Sequence, residues 1–360
     1  MARLPTTPLQ ATIDISPIMY GRGVSRYTMN LVKALKRQED LTLSVYGSSM
    51  RQKMDLDAFV SQEKMSKRST IYPFPPTLWA KMFYDFNWPN IELLLKQPTQ
   101  VFHAWEELIP PSKSTPIVAT IHDLAILKFP ETAHPSTLEK HHAAWKRLKK
   151  MGSHVIAVSQ ATKNDVIELL EFPPDKVHLV YEALPEEHRR SLTKEERERI
   201  LKKLNLDRPF ILFVGALEPR KNAERLVEAW KTISADYDLV IAGRSQFGVN
   251  LTHQKGLHLL GSVTPEQLAA LYTEASVFTF PSLYEGFGLP ILEAFHYGTP
   301  VLTSENSAMS EISGNAAKLI NPLEVESISK GLFKLLNEDS SQRATRKQAM
   351  KLQLQLFHWD

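Results

Sequence analysis

Short apolar runs of strand length alternate with longer amphipathic stretches along almost the whole chain. In the first half the predicted strands are ATIDIS, LTLSVY, TQVFHA, PIVATIH and SHVIAVS, and the predicted helices span Ser25–Lys36, Pro135–Met151 and Gln160–Leu170. Apolar strands separated by helices are typical of parallel sheets that carry helices on both faces. The first half therefore predicts an α/β domain.

The same alternation starts again in the second half, after a polar and charged stretch. The predicted strands there are PFILFVG, YDLVIAG, LHLLG, SVFTFP and TPVLTS, and the predicted helices span Ala223–Ile233, Pro265–Glu274, Leu289–Tyr297 and Glu324–Leu336. A length of 360 residues also suits two domains of roughly 150 residues each. We predict a second α/β domain of similar size.

These patterns divide the chain into residues 1–185, residues 194–337 and a C-terminal helical segment at residues 338–360. A linker is predicted at Leu184–Thr193, and a charged helix is predicted to open the second domain. Two successive α/β domains imply a cleft, because loops at the carboxyl ends of parallel strands commonly bind ligands.

Composition narrows the class of protein. The net charge is only +3, which argues against a dedicated nucleic-acid binder. The chain has no cysteine, which excludes a disulfide scaffold and thiolate chemistry. No apolar run approaches the roughly 18 residues of a membrane span, and no signal peptide is evident at the start. We expect a cytoplasmic protein. The basic stretch Lys140–Lys150 favours a solvated helix face, with peripheral contact to anionic lipid as the alternative.

Two stretches of the second half carry candidate chemistry. GALEPRKN (Gly215–Asn222) follows a predicted strand and places Arg220 and Lys221 just before a helix that Asn222 can cap. Two cations beside a helix N-terminus suit a diphosphate, and a solvated basic turn is the other interpretation.

The second stretch, EGFGLPILE, follows the predicted strand SVFTF and begins with Glu285. Gly286 and Gly288 allow a close backbone approach, and Pro290 suits a first helical turn. Amides around Phe287–Leu289 are then available to an anion. Buried carboxylates need partners, and Glu293 on the following helix is suited to a pair of sugar hydroxyls.

Together these stretches resemble the glycosyltransferase group 1 family, also called family 4. Its hallmark is two glutamates separated by seven residues, which are Glu285 and Glu293 here. GRGVSRYTMNLVKAL resembles the glycine-rich first loop and helix of the family, and TIHDLAILKFPE resembles its His-Asp-Leu segment. The resemblance covers nearly the whole chain and implies a GT-B fold of two Rossmann-like domains, an acceptor domain followed by a nucleotide-sugar donor domain.

The resemblance also implies site residues. Arg220 and Lys221 would bind the diphosphate, Glu293 the ribose, and Glu285 the donor sugar, while His122 would meet that sugar from the first domain. The implied catalytic residues are His122, Glu285, Arg220 and Lys221. The implied donor-binding residues are Gly23, Arg220, Lys221, Arg244, Val263, Glu285, Gly286, Phe287, Gly288, Leu289 and Glu293.

The chain departs from the family pattern in three places. Arg22 and Ser25 stand where the first loop usually has more glycine, and Ala216 stands where many members have an additional arginine. The chain stops at LFHWD, whereas the family usually continues into a helix that packs across the first domain. Arg220 and Lys221 are therefore expected to carry more of the phosphate-binding charge, and domain closure depends most on the C-terminal segment.

The resemblance implies a retaining, metal-independent hexosyl transfer without a cofactor. Arg220, Lys221 and helix amides would stabilise the departing nucleotide diphosphate. Front-face attack by the acceptor is favoured over a Glu285 nucleophile, with His122 as a polarising group. GDP-mannose is the preferred donor and UDP-glucose the second, by analogy with bacterial polysaccharide mannosyltransferases. The acceptor would be a glycan or a lipid-linked hydroxyl, met by first-domain loops such as Tyr72–Trp88. The aromatic rings of that segment could pack in the core, bind sugar rings or touch a lipid carrier, and core packing is favoured for most of them.

Other functions stay open. Asp236–Asp238 and Asp55–Asp57 are candidate metal sites of a metal-dependent transferase. GRGVSR begins like a dinucleotide fingerprint, but Arg26 occupies the third glycine position, which argues against an oxidoreductase. A nucleotide-sugar epimerase or hydrolase on the same fold is a further alternative, and so is a non-catalytic binding or structural subunit of a transferase complex.

Overall fold

The computed structural model describes residues 7–21, 23–185, 191–245, 249 and 251–359. Its first half contains a parallel sheet of seven strands. In chain order these strands are β1 (Leu9–Asp14), β2 (Leu41–Ser48), β3 (Ser69–Tyr72), β4 (Val101–Ala104), β5 (Ile117–Ile121), β6 (His154–Ala157) and β7 (Val177–Leu179). The helices between them are α1 (Gly23–Lys36), α2 (Lys53–Gln62), α3 (Pro76–Phe86), α4 (Ile91–Leu94), α5 (Ala125–Lys128), α6 (Pro135–Lys150) and α7 (Gln160–Leu170).

The second half contains a parallel sheet of six strands. Its strands are β8 (Phe210–Val214), β9 (Asp238–Ala242), β10 (Leu257–Gly261), β11 (Val277–Phe280), β12 (Val301–Ser304) and β13 (Lys318–Ile320). Its helices are α8 (Lys194–Lys203), α9 (Ala223–Trp230), α10 (Pro265–Glu274), α11 (Leu289–Tyr297), α12 (Ser307–Ser313), α13 (Val325–Leu336) and α14 (Ser340–Leu354).

Both sheets have the doubly wound strand order of Rossmann-like domains. The first runs β3-β2-β1-β4-β5-β6-β7 and the second β10-β9-β8-β11-β12-β13. The direction of winding reverses between β1 and β4 and again between β8 and β11. Loops that follow the strands at such a reversal diverge and leave a crevice for a ligand. The predicted α/β fold with two parallel Rossmann-like sheets is confirmed.

Several helices of the second domain begin at residues that satisfy their free amides. Thr193 caps α8, and Glu196 returns the bond to the Thr193 amide, which completes a capping box. Thr264 and Gln267 form the same arrangement at α10. The charged helix predicted to open this domain is therefore present. The linker predicted at Leu184–Thr193 includes residues 186–190, which lie outside the described residues.

The periodicity of the sequence missed three strands and misjudged one segment. β3, β7 and β13 are only three or four residues long, too short to show a pattern. Tyr72–Trp88 was expected to be loop, but most of it is α3, whose Trp79 and Phe83 are buried in the core. The aromatic side chains at positions 86 and 88 are more than half exposed.

The C-terminal segment reaches both domains. After α14 the chain brings Phe357, which is 6% exposed, against Phe287 of the second domain and Tyr181, which follows β7. The ring of Trp359 lies 6.0 Å from the ring of Tyr27 in α1. Within the part of the chain that the structure describes, no helix is long and apolar enough to cross a membrane.

Candidate active site

Two loops of the second domain meet where its strand order reverses. One follows β8 and ends at Asn222, and the other follows β11 as Pro281–Gly288. The Leu283 amide donates to the Arg220 carbonyl at 2.8 Å. The loops predicted to carry the chemistry are thus bonded to each other at the carboxyl edge of the sheet.

Asn222 ties these loops together rather than capping a helix. Its side chain makes no capping bond to α9. Instead its Nδ2 donates to the carbonyls of Pro281 and Pro322, at 3.0 and 2.7 Å. Its backbone lies in the left-handed region with φ +62°, which asparagine tolerates better than most residues. The predicted side-chain cap is therefore wrong.

Glu285 is buried and neutralised by the two cations of the neighbouring loop. Its Oε2 accepts from Arg220 Nη1 at 2.9 Å, and its Oε1 accepts from Lys221 Nζ at 2.6 Å. Burial alone would raise the pKa of Glu285, but the charges of Arg220 and Lys221 prevail and lower it to about 2. Arg220 also pairs with Glu218 at 2.6 Å. A ligand was expected to supply the partners of Glu285, but the chain itself supplies them through Arg220 and Lys221.

Glu293 lies in α11 and is only 3% exposed. The hydroxyl of Tyr272, in α10, donates to its Oε2 at 2.8 Å. Burial, and then the charge of Glu293, raise the pKa of Tyr272 well above its usual value, so this phenol stays protonated. The Tyr272 ring is fixed in turn by stacking on Tyr297, with centroids 5.8 Å apart. The carboxylate of Glu293 is thus oriented by a hydrogen bond from the hydroxyl of a fixed tyrosine ring.

Gly286 packs directly against the first domain. A Cβ at this position would lie 1.9 Å from the His122 carbonyl oxygen, so no side chain fits there. The Gly286 carbonyl accepts hydrogen bonds from Ser159 Oγ at 2.6 Å and from Thr162 Oγ1 at 3.0 Å. The loop that carries Glu285 is therefore fastened to the N-terminal turn of α7.

A second bridge joins the domains beside this one. Glu311 in α12 accepts from the amides of Gln160 and Ala161 at 2.8 and 3.2 Å, which satisfies the free N-terminal amides of α7. The Tyr284 hydroxyl donates to Asp165 Oδ2 at 2.7 Å. These contacts surround the Gly286 contact and fix the two domains against each other there.

His122, which follows β5, enters the site from the first domain. Its Nδ1 lies 2.8 Å from Glu182 Oε1, and its amide donates to Glu106 Oε2 at 3.3 Å. Burial would lower the pKa of His122, but Glu182 and, more weakly, Glu106 and Asp123 raise it to about 9. The carboxyl of Glu106 is itself buried, and that burial raises its pKa to about 7.

The cleft between the domains encloses about 620 Å³. It is lined by nearly all of the residues that the resemblance implied: Gly23, His122, Arg220, Lys221, Val263, Glu285, Gly286, Phe287, Gly288, Leu289 and Glu293. Arg244 is the exception. It is exposed, and its Nε donates at 2.7 Å to the hydroxyl of Ser262, which does line the cleft. The roles of all these residues stay predictions.

One aspartate of each pair considered as a metal site has a protein partner. Asp238 accepts from Arg208 at 2.6 Å and lies 2.9 Å from His258 Nε2. Asp57 pairs with Lys53 at 2.5 Å. Among the described residues, no group of three or more histidines, aspartates and glutamates is placed to hold a metal ion.

Comparison with protein families separates the chain into the same two halves. Residues 21–188 match the model of Glycosyltransferase Family 4, and residues 194–352 match that of Glycosyl transferases group 1. The chain belongs to the group 1 glycosyltransferases. The two matches leave few residues of this glycosyltransferase uncovered, and the second includes both Glu285 and Glu293.

Relatives of this glycosyltransferase include two bacterial enzymes. O-antigen chain mannosyltransferase B of Escherichia coli is 26% identical over 96% of this chain and 94% of its own. O-antigen chain mannosyltransferase RfbU of Salmonella typhimurium is 24% identical over 84% of each chain. In fold, the glycosyltransferase resembles Anabaena Alr3699/HepE, solved in complex with UDP and glucose, with a TM-score of 0.70, 14% identity and coverage of 98% of this chain and 96% of that one.

Three residues of the site were not found from the sequence of this glycosyltransferase. Glu182 follows a strand of three residues and lies 60 positions from His122, so no local pattern marks it. Glu106 follows β4 outside any motif. Tyr272 occupies an ordinary buried position of an amphipathic helix. A buried tyrosine hydroxyl needs a partner, but Glu266, Glu274 and Glu285 all lie nearer to Tyr272 along the chain than Glu293 does, so the sequence does not single out this pair.

Proposed function

We propose that this glycosyltransferase moves a mannosyl group from GDP-mannose to a hydroxyl of a glycan or a lipid-linked saccharide. The observation that carries the proposal is the pair of relatives named as O-antigen mannosyltransferases, each aligned over most of this chain. UDP-glucose is the second donor to test. The enzyme would act in the cytoplasm, with peripheral contact to the membrane as the setting for a lipid-linked acceptor.

The cleft is suited to a nucleotide diphosphate sugar. Glu293, oriented by Tyr272, would accept from the ribose hydroxyls. Arg220 and Lys221 would share their charge between Glu285 and the diphosphate. The backbone at Phe287–Leu289, at the start of α11, would add amide donors.

The reaction would break the bond between the anomeric carbon and the diphosphate oxygen and form one between that carbon and the acceptor oxygen. We expect attack on the face that the diphosphate leaves, so the anomeric configuration is retained. The acceptor proton would pass to the departing phosphate oxygen. Arg220 and Lys221 would stabilise the charge on that group without a metal ion or cofactor.

The state of Glu285 supports this route over a covalent intermediate. A nucleophilic carboxylate would have to leave its partners and reach the anomeric carbon. Glu285 is held by Arg220 at 2.9 Å and by Lys221 at 2.6 Å, and its pKa is lowered to about 2, which makes it a weak nucleophile. Its oxygens are better placed to accept hydrogen bonds from the donor sugar.

The first experiment is thermal unfolding of the purified chain with a panel of nucleotide sugars. A ligand that binds only the folded state stabilises it by about 2.7 kcal/mol at 100 times its dissociation constant. We expect stabilisation by GDP-mannose that is lost in Glu293→Ala and kept in Glu326→Ala, whose side chain is exposed on α13. Stabilisation by another donor alone would overturn the choice of donor.

Turnover separates the remaining functions. The chain is incubated with GDP-mannose, an α-mannoside acceptor and excess EDTA, and the product is examined by NMR for its anomeric configuration. An α-linked product formed in the presence of EDTA supports retention without a metal. Release of free mannose alone would point to a hydrolase, and binding without turnover to a non-catalytic subunit.

A further inference from the structure

The His122 ring is held on two sides by its own domain. Its Nδ1 lies 2.8 Å from Glu182 Oε1, and the Tyr27 ring meets it edge-on with centroids 4.6 Å apart. The side chains of His122 and Glu182 are 16% and 7% exposed. A hydrogen bond to Nδ1 in so enclosed a position sets both the orientation of the ring and the nitrogen that carries the first proton.

The charged groups around His122 come from several elements. Glu182 follows β7, Glu106 follows β4, and Asp123 is the next residue after His122. His103 in β4 could also carry a positive charge near His122. Its burial, and then the charge of His122, lower the pKa of His103 to about 4, so its ring is neutral near pH 7. Tyr27 is also neutral, because burial raises its pKa. From the second domain, Gly286 packs on the His122 carbonyl. The surroundings of the ring are therefore negative.

The cleft is short of positive charge for a diphosphate. Its described lining carries three permanent cations, one of which is Arg26 of the first domain, and five carboxylates. The cations are Arg26, Arg220 and Lys221, and the carboxylates are Asp123, Glu182, Glu218, Glu285 and Glu293. Arg220 and Lys221 are both paired with Glu285. A further cation facing the donor would offset this excess of negative charge.

We propose that Glu182 is a positioning residue that keeps His122 as an imidazolium, so that Nε2 carries a proton for an anionic oxygen of the nucleotide diphosphate sugar. This inference rests on the proposed function for the identity of the ligand. The geometry for it is the short Nδ1 contact with a buried carboxylate, with His122 itself in the lining of the cleft.

The proposal assigns a definite chemical role to each ring nitrogen. A neutral imidazole that donates from Nδ1 to Glu182 would leave Nε2 as an acceptor, able to take the acceptor proton as a base. An imidazolium donates from both nitrogens and takes no proton. The acceptor proton then has to go to the diphosphate oxygen, and His122 adds a charge-assisted hydrogen bond to the donor.

The direct test is an NMR titration of His122 in the free protein. The Cε1–H resonance is assigned by its loss in His122→Gln. Burial would lower the pKa of His122, but Glu182 raises it to about 9, so we expect a wild-type midpoint near that value. In Glu182→Gln the midpoint should fall by about 2.5 units, to the ordinary histidine value of about 6.5. A wild-type midpoint at or below 6.5 overturns the proposal without any variant, and so does a midpoint that Glu182→Gln leaves unchanged.

The pH dependence of donor turnover tests the consequence for catalysis. If His122 in Glu182→Gln titrates at about 6.5, only about 3% of it is protonated at pH 8, so activity there should be about thirtyfold below its value at pH 5.5. The wild type should lose little over this range. Glu182→Asp, which keeps the charge, should restore most of the activity at pH 8. A variant equally impaired at every pH would show a purely structural role and overturn the proposal.

A matched control separates this effect from the loss of any carboxylate–histidine pair. Asp238 and His258 form such a pair at 2.9 Å. Asp238 is the first residue of β9, so it lies at the amino ends of the strands, opposite the carboxyl ends that border the cleft. Asp238→Asn should leave the shape of the pH profile unchanged. If the wild type turns over no nucleotide sugar, the proposed function fails, while the NMR titration still decides the state of His122.

Discussion

Replacing Glu285 with glutamine keeps the shape of the side chain and removes the charge that holds Arg220 and Lys221. In the wild type these contacts are 2.9 and 2.6 Å long, and Glu285 is 8% exposed. Removing one partner of a buried ion pair is strongly destabilising, because it leaves a buried charge uncompensated. Here Lys221 would lose the carboxylate that pairs with it, while Arg220 would keep Glu218. We therefore expect Glu285→Gln to lower the free energy of unfolding.

The size of the loss follows from the pKa of Glu285. The surrounding cations overcome the effect of burial and lower it from 4.5 to about 2. At about 1.4 kcal/mol per pKa unit, the charged carboxylate contributes about 3 kcal/mol to stability near neutral pH. Because the folded-state pKa is depressed, this contribution is fully present above pH 4.5 and is lost as the pH falls towards 2. At pH 3.5 it should amount to about 2 kcal/mol.

Urea unfolding of both proteins at pH 7 and pH 3.5 measures this difference. With a slope of roughly 3 kcal/mol/M, a loss of about 3 kcal/mol lowers the midpoint by about 1 M at pH 7. The control is Glu326→Gln, which removes an exposed partner of Lys330 and should change the midpoint little. A Glu285→Gln protein as stable as the wild type at pH 7, or equally destabilised at both pH values, would refute the reasoning.

Three further changes test the site. Tyr272→Phe removes the donor to Glu293 and should weaken nucleotide binding about tenfold by calorimetry, because a hydrogen bond to a charged group contributes about 1.5–3 kcal/mol; unchanged affinity would remove Tyr272 from the site. Gly286→Ala places a Cβ 1.9 Å from the His122 carbonyl oxygen and should abolish donor turnover and lower the melting temperature; full activity would contradict the fitted contact between the domains. Phe357→Ala empties a buried site and should cost about 3–5 kcal/mol in unfolding experiments; a loss below 1 kcal/mol would show that the C-terminal segment is not docked.

The part of the site predicted from the sequence is the part carried by short continuous stretches. Arg220 and Lys221 were placed correctly after a strand, and Gly286 was placed where the backbone approaches another segment closely. Strand ends and glycine turns are local features, and parallel topology brings such ends to one edge of a sheet. Most strands were found for the same reason, since their apolar runs are local.

The pairing of charges could not be predicted in the same way. The sequence shows that Glu285, Arg220 and Lys221 lie in two loops, but not that they neutralise each other before any ligand binds. That depends on the distance between the loops, set by the Asn222 side chain and the packing of the strands beneath. Glu182 was missed because the strand before it has only three residues and its partner is 60 positions away.

The prediction of a loop at Tyr72–Trp88, before β4, was wrong for a different reason. YPFPPTLWAKMF contains three prolines, which favour loop, yet the third is Pro76 at the first position of α3, where proline is well tolerated. Trp79 and Phe83 lie four positions apart on one face of that helix and are buried together. Tertiary burial of this aromatic pair decides the structure there.

The hydrogen bonds from Ser159 and Thr162 to the Gly286 carbonyl fasten the two domains at one point, which can serve as a hinge. Any rotation of one domain about this point moves nearby atoms little and distant atoms far. The part of the cleft beside His122 and Gly286 would hardly widen, whereas lining residues farther from this contact would separate more. On the function proposed above, which places the donor sugar beside His122 and Glu285, a nucleotide sugar would enter sugar first and the spent nucleotide would leave by its base end.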